Sequence, residues 1–276
     1  MAGTLYIVAT PIGNLEDLTP RAAATLGMVD FIAAEDTRVT LRLLNHLGLK
    51  KPMLSYYQHN FSKGDQILRR LEEGENCALC SDAGMPAISD PGELLVKDAL
   101  ARGITVCPIP GASACVSALA VSGQDTARWV FEGFLPIPKK PRRQRLEALA
   151  REERTIILYE APHKLVNTLE DLAQALGSDR SITLCRELTK LHEEIQKTTL
   201  AQALDQYRET PPRGEFVLVV AGGQPDTSEE ELTLEQAVAL AREKMSQGES
   251  PTAAAKAAAA ASPYSKGEIY RELIGE

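Results

Sequence analysis

Three loops carry the residues best suited to hold a ligand. They are residues 8–14 (Val-Ala-Thr-Pro-Ile-Gly-Asn), 81–92 (Ser-Asp-Ala-Gly-Met-Pro-Ala-Ile-Ser-Asp-Pro-Gly) and 108–114 (Pro-Ile-Pro-Gly-Ala-Ser-Ala). Each follows or closes a short apolar run, and small residues there let a ligand approach backbone amides. The second loop spans twelve residues. That exceeds most strand-to-helix connections, and long loops in compact domains are often functional. Asp82 falls at a strand's carboxyl end, where open α/β sheets bind ligands. Asp90 with Pro91 suits the cap and first position of the next helix. Two charged clusters, Glu35-Asp36-Thr37-Arg38 and Arg186-Glu187-Leu188-Thr189-Lys190, are placed for acid–base or charge-stabilising work. A carboxylate there can act as general base; a cation can steady developing charge or hold a phosphate. A structural reading stands beside each: Asp36 or Thr37 caps a helix, and Glu187 pairs with Lys190 or Arg186 at the surface. The three-glycine dinucleotide fingerprint and the Gly-Lys-Ser/Thr phosphate loop are missing, so NAD, FAD and ATP chemistry lack their usual signals.

A basic run supplies a different chemistry. Between Lys139 and Arg154 seven bases stand against three acids, with Lys139, Lys140, Arg142, Arg143 and Arg145 leading. Pro136, Pro138 and Pro141 keep its start extended. Such a run contacts a nucleic-acid backbone or forms a solvated helix face. Tyr56, Tyr57 and His59 share a polar loop, where rings stack on bases or pack half-buried. Cys77 and Cys80, three apart in a strand, point to opposite faces. With no second pair and no nearby histidine they lack a zinc ligand set, and no metal is expected.

The elements that position these residues follow a repeating pattern. Strand-like runs at 4–9, 30–34, 77–81 and 104–107 alternate with helical stretches at 20–26, 37–47, 66–73, 93–101 and 112–121. That alternation predicts βαβ units around a mainly parallel sheet. Strands at 129–135, 155–159, 182–185, 194–198 and 215–221, with helices at 142–151 and 162–176, predict a second α/β unit with a mixed sheet. The predicted domains are 1–122 and 123–223, followed by a Gly/Pro/acidic linker at 222–231. Residues 232–276 predict three helices. Thr233 with Gln236 and Ser265 with Glu268 have capping-box spacing, Ser250-Pro251 opens a helix, and residues 252–261 hold eight alanines. The last two helices, joined by a short turn, are compatible with a helix-turn-helix.

Composition bounds the rest. The chain has 276 residues, 44% hydrophobic and 25% charged, ordinary globular usage with ample core. No apolar run reaches the length of a membrane span, and the N-terminus lacks a charged leader region. Five cysteines beside apolar stretches fit buried thiols of a reducing, cytoplasmic setting. The net charge of −8 argues against a polyanion partner, but it is an average. Residues 225–276 hold ten acids and five bases, while the basic run carries +4.

The motifs, taken in order, resemble the tetrapyrrole-methylase superfamily, and more closely its branch that modifies small-subunit ribosomal RNA. The carriers are Thr10-Pro11-Ile12-Gly13-Asn14-Leu15, Glu35-Asp36-Thr37-Arg38, Ser81-Asp82-Ala83-Gly84-Met85-Pro86, Ser89-Asp90-Pro91-Gly92 and Pro110-Gly111-Ala112-Ser113. Phe131-Glu132-Gly133-Phe134-Leu135-Pro136, Tyr159-Glu160-Ala161-Pro162-His163, Cys185-Arg186-Glu187-Leu188-Thr189-Lys190, Arg213-Gly214-Glu215-Phe216 and Tyr264-Ser265-Lys266-Gly267-Glu268-Ile269-Tyr270 continue the series. The resemblance spans nearly the whole chain. It implies two α/β domains with S-adenosylmethionine in the cleft between them, a helical C-terminal region, and a homodimer. It also implies methylation of the ribose 2′-hydroxyl of a cytidine in the decoding region of 16S ribosomal RNA, free or in the 30S subunit. By position it assigns Pro11, Asp82, Met85, Pro86, Ser113, Ala114, Tyr159, Glu160, Glu215 and Phe216 to the cofactor. Catalytic candidates are Glu35, Asp36 and Lys190; RNA-binding candidates are Arg38, His59, Lys139, Lys140, Arg142, Arg143 and Arg145. The first loop keeps only Gly13 where the superfamily is glycine-rich, and Ser81-Asp82-Ala83 replaces Gly-Asp-Pro; both departures point away from tetrapyrroles. Two other readings stand: a small-molecule methylase acting on a tetrapyrrole or corrin precursor, and a non-catalytic RNA-binding assembly factor.

Overall fold

The computed structural model describes residues 1–57, 61–223 and 232–275. Residues 1–223 form one compact unit and residues 224–276 a second. The predicted His59 lies outside the described residues.

The first unit begins with β1 (Thr4–Val8), α1 (Pro20–Met28), β2 (Phe31–Ala34), α2 (Thr37–His46), β3 (Met53–Ser55), α3 (Phe61–Glu72), β4 (Cys77–Cys80), α4 (Glu93–Ala101) and β5 (Thr105–Ile109). The strands pair in the order β3-β2-β4-β1-β5, all parallel. Side chains alternate across a strand, so each face of this sheet has its own core. Leu5, Ile7, Phe31, Ala33, Cys77 and Leu79 pack with α3 and α4. Val8, Ile32, Ala34, Ala78 and Cys80 pack with α1 and α2. Cys77 and Cys80 thus take opposite faces, as their spacing requires. Burial raises both thiol pKa values, that of Cys80 to about 12, which keeps them protonated and unreactive.

A second sheet follows. Its elements are α5 (Ala114–Val121), β6 (Trp129–Gly133), α6 (Lys139–Leu149), β7 (Thr155–Glu160), α7 (Pro162–Leu176), β8 (Ser181–Arg186), β9 (Glu194–Thr199), α8 (Leu200–Glu209) and β10 (Phe216–Val220). The order is β6-β7-β10-β8-β9, parallel only between β6 and β7. One face buries Ile156, Leu158, Leu184 and Leu218 under α6, α7 and α8. The other buries Ile157, Cys185, Val217 and Val219 under Cys115, Ala118 and Leu119 of α5. Helix α5 therefore leaves the first sheet's last strand and covers the second sheet, which brings the two sheets' strand-end loops together.

Several elements differ from expectation. Strand β3 and helix α8 were not expected. Helix α8 shows a clear stripe at Leu200, Ala203, Leu204 and Tyr207, all buried, behind the capping Thr199. Helix α6 starts at Lys139 and takes in Pro141. A proline fits in a helix's first turn because the first four N–H groups have no intrahelical partner. The basic run is thus helical from its start rather than extended. Helix α4 is capped by Gly92, at φ 144°, not by Asp90. A Cβ at position 92 would lie 2.8 Å from Leu79 Cδ2, so the tight approach also favours glycine.

The second unit holds α9 (Leu234–Ser246), α10 (Pro251–Ala260) and α11 (Lys266–Ile274). Capping boxes at Thr233/Gln236 and Ser265/Glu268 both form, and Ser250 caps α10. Ala237, Ala241, Ala254, Ala255 and Ala258 fill its core with Val238 and Ile269. Among the described residues, no helix is long and apolar enough to cross a membrane.

Candidate active site

The loops after β4, β1 and β5 meet because those strands are neighbours in the sheet. Thr10 and Gly84 exchange backbone hydrogen bonds of 2.9 and 3.1 Å, tying the first loop to the second. On the opposite side stand the segment after β8 and the start of β10. Loop and segment touch at Gly13, where a Cβ would lie 2.5 Å from Lys190 Cγ and 3.0 Å from the Leu188 carbonyl oxygen. Glycine is required there by contact.

Between these walls lies a cleft of about 350 Å³. Ile12, Met85, Ile88, Phe134, Leu188 and Val217 make it largely apolar; Asp90, Ser113, Lys190 and Glu215 add polar groups. Among the described residues, four non-glycines have a left-handed backbone: Ala87, Ser89, Glu187 and Thr189. They fall in the second loop and in the segment leading to Lys190, both at the cleft. Each such conformation costs about 1–3 kcal/mol and persists only where surrounding structure enforces it, a pattern common at functional sites.

Of the expected cofactor residues, the cleft gathers Met85, Ser113, Ala114, Tyr159, Glu160, Glu215 and Phe216. Pro11, Asp82 and Pro86 do not line it. The Tyr159 hydroxyl accepts the Cys115 backbone N–H at 3.1 Å, fixing the first turn of α5. Phe131 and Phe134 meet its ring edge-on at 5.0 and 5.7 Å. Glu160 is 4% exposed, and its carboxylate accepts from the Ala161 N–H at 2.8 Å and the Thr168 hydroxyl at 2.5 Å. Its charge is directed to the start of α7.

Glu35, Asp36 and Asp82 form a separate lock between two loops. The Asp82 carboxylate accepts the Asp36 N–H, and the Asp82 N–H donates to Glu35 Oε2, both at 3.1 Å. Asp36 also caps α2 and pairs with Arg38, which holds its carboxyl down at about 2. The capping reading of Asp36 is the one the geometry shows. Burial first, then repulsion among neighbouring acids, raises Glu35 and Asp82.

Asp90 faces the cleft, contrary to its expected capping role. Burial, and then the charges of Glu35 and Asp82, raise its carboxyl to about 6. Sequence reasoning missed it because its proline neighbour matched a helix start. Lys190 spans Glu187 Oε1 at 2.8 Å and Glu215 Oε2 at 2.9 Å. Burial alone would lower its ammonium pKa, but the hydrogen bonds to Glu187 and Glu215 outweigh it and raise it. Lys190 stays a cation at neutral pH and cannot serve as a base.

The basic candidates divide. Arg142 is half-buried between Asp171, at 2.6 Å, and the Thr168 hydroxyl, at 2.8 Å. Arg145 pairs with Glu132 at 2.5 Å, and Arg143 with Glu147 at 3.4 Å. Lys139 and Lys140 are exposed and make no ion pair among the described residues. Arg38 is exposed but bound to Asp36.

The cleft is thus largely apolar, with Asp90 and Glu215 as acids and Lys190 as a cation on its walls. The model of the tetrapyrrole (corrin/porphyrin) methylases matches residues 4–204. The chain is 54% identical over 225 residues to a Synechocystis ribosomal RNA small subunit methyltransferase I, covering 81% of each chain. It is 47% identical over 260 residues to that of Xylella fastidiosa, covering 93% of this chain and 94% of the relative. It is 47% identical to that of Thermotoga maritima over 221 residues, 80% of this chain but 99% of the relative. Among solved structures, a cobalt precorrin-4 methyltransferase of cobalamin biosynthesis superposes with TM-score 0.60 at 18% identity, over 79% of this chain and 94% of that one. At that identity it attests the fold alone. The chain belongs to the tetrapyrrole methylase family, in the branch of the ribosomal RNA small subunit methyltransferases I.

Proposed function

We propose that the cleft binds S-adenosylmethionine and that the protein methylates small-subunit ribosomal RNA, at the ribose 2′-hydroxyl of a cytidine in the decoding region. The observation that carries this reading is the cleft bounded by strand-end loops of both sheets, in a chain about half identical to relatives named for that activity. Met85, Ser113, Ala114 and Phe216 would hold the cofactor, and Asp90 would balance its positive charge. The cofactor supplies a methyl group activated by a sulfonium. Transfer is an in-line displacement, so the protein's main task is to orient the two reactants. A ribose hydroxyl is a weak nucleophile. Lys190, held charged by Glu187 and Glu215, would stabilise the negative charge that develops on its oxygen as the proton passes to solvent water, while S-adenosylhomocysteine departs as the neutral thioether. Glu35 and Asp36 are assigned the structural task of holding the loops after β2 and β4.

The reading includes a homodimer, a cytoplasmic location, the 30S subunit as substrate, and domains at 1–122 and 123–223. The direct test offers methyl-labelled S-adenosylmethionine with 30S subunits, naked 16S RNA or a tetrapyrrole precursor. Label in RNA supports the reading; label in the tetrapyrrole alone contradicts it.

The helical tail would contribute to RNA recognition. The tail is a compact unit with its own core. Deleting residues 232–276 should therefore raise the KM for RNA while leaving cofactor affinity unchanged in a calorimetric titration. Equal loss of both would make the tail structural only.

A further inference from the structure

Beside the cleft lies a second cavity of about 760 Å³, between α6 and α7. Phe134 and Glu160 line both, so the two adjoin. We propose that this groove carries the single-stranded RNA flanking the target nucleotide, with a base stacked on Phe134 and phosphates held by Lys139 and Lys164. This inference rests on the RNA methylation reading and adds the path of the strand.

The charges of the groove support it. Three of its acids already have cationic partners: Asp171 with Arg142 at 2.6 Å, Glu170 with Arg208 at 2.6 Å, and Glu147 with Arg143 at 3.4 Å. The fourth, Glu160, is buried and takes two hydrogen bonds. Lys139 and Lys164 line the same groove and have no ion-pair partner among the described residues. The cations left to act on a ligand are therefore these lysines. The rim is apolar and open: Phe134 is 55% exposed and Ile137 75%. Unpaired cations beside an exposed aromatic ring form the usual binding surface for single-stranded nucleic acid. The position also suits the chemistry. A nucleotide whose ribose enters the cleft has its chain neighbours leave beside it, and the groove adjoins the cleft at Phe134. Arg142, by contrast, is bound to Asp171 and shapes the wall rather than the contact, and Arg145, bound to Glu132, does not line the groove.

The experiment compares full-length wild type with three variants: Lys139→Ala/Lys164→Ala, Phe134→Leu, and a control Lys50→Ala/Lys97→Ala. RNA affinity and KM are measured across salt concentrations, with cofactor affinity in parallel. Losing two phosphate contacts should make the log–log salt slope shallower by about 1.4, at roughly 0.7 per contact for single strands. Phe134→Leu should weaken RNA binding about fivefold or more, the loss of one stacked base. The groove lysine pair should leave cofactor affinity within about twofold, and the control pair should leave the slope unchanged. An unchanged slope and KM in variants that still methylate would overturn the groove alone. So would an equal slope change in the control, or a shift of Phe134→Leu from dimer to monomer with RNA affinity intact. Wild type that binds no RNA would overturn both the groove and the reading beneath it.

Discussion

Lys190→Met should lower the rate of methyl transfer by about 100-fold or more, the usual cost of removing a preorganised charge from a reacting oxygen. Cofactor affinity should change by less than about threefold, because two other cleft walls, around Met85 and Ser113, remain. The expectation follows from how much structure is devoted to this one ammonium group. Two carboxylates hold it at 2.8 and 2.9 Å, left-handed backbone at Glu187 and Thr189 presents it, and Gly13 makes room for its stem. A merely structural ion pair predicts something else. Glu215 is 78% exposed, so its pair with Lys190 contributes little to stability. If Lys190 served stability alone, Lys190→Met would lower the melting temperature, and rate and affinity would fall together. Steady-state kinetics with cofactor titration separate the two outcomes. Lys190→Arg should recover part of the rate, since the charge returns in a different shape.

Asp90→Asn should abolish a pH dependence in cofactor binding. In the free protein the Asp90 carboxyl is raised to about 6 by burial and by Glu35 and Asp82. A cation in the cleft favours the ionised form, so wild-type affinity should rise about tenfold between pH 5 and pH 7, one pK unit being a factor of ten. Asp90→Asn should bind more weakly at pH 7 and show a flat profile, as titration calorimetry would read. Stability should move the other way. The unfolded chain releases the Asp90 proton near its ordinary value, but the fold keeps it until about pH 6. Between those limits the fold holds the extra proton, so raising the pH weakens it. Asp90→Asn should therefore melt higher than wild type above pH 6 and at the same temperature near pH 4. A variant that binds the cofactor as well as wild type at pH 7 would remove Asp90 from the account.

What the sequence made legible was local. The caps at Thr233, Ser250 and Ser265 depend on residues three positions away, and all three form. The parallel first sheet and mixed second sheet follow from run lengths and alternation, and both were expected. The meeting of three loops was not derivable from spacing, because it depends on β4, β1 and β5 being neighbours, a long-range fact. Asp90 and Pro91 matched a helix start, yet the chain needed a left-handed glycine two residues later. The basic run read as one surface, but Asp171 and Glu132, distant in sequence, take Arg142 and Arg145 out of it. Helix α8 is legible in the sequence as apolar residues at helical spacing, Leu200, Ala203, Leu204 and Tyr207.

The most direct measurement follows the methyl group to its atom. Small-subunit ribosomal RNA is methylated with labelled S-adenosylmethionine and the protein, then digested to nucleosides and separated. Label is expected in 2′-O-methylcytidine, appearing about 100-fold more slowly with Lys190→Met while cofactor binding persists. Label on a base, or no label in any RNA from protein that binds the cofactor, would contradict it.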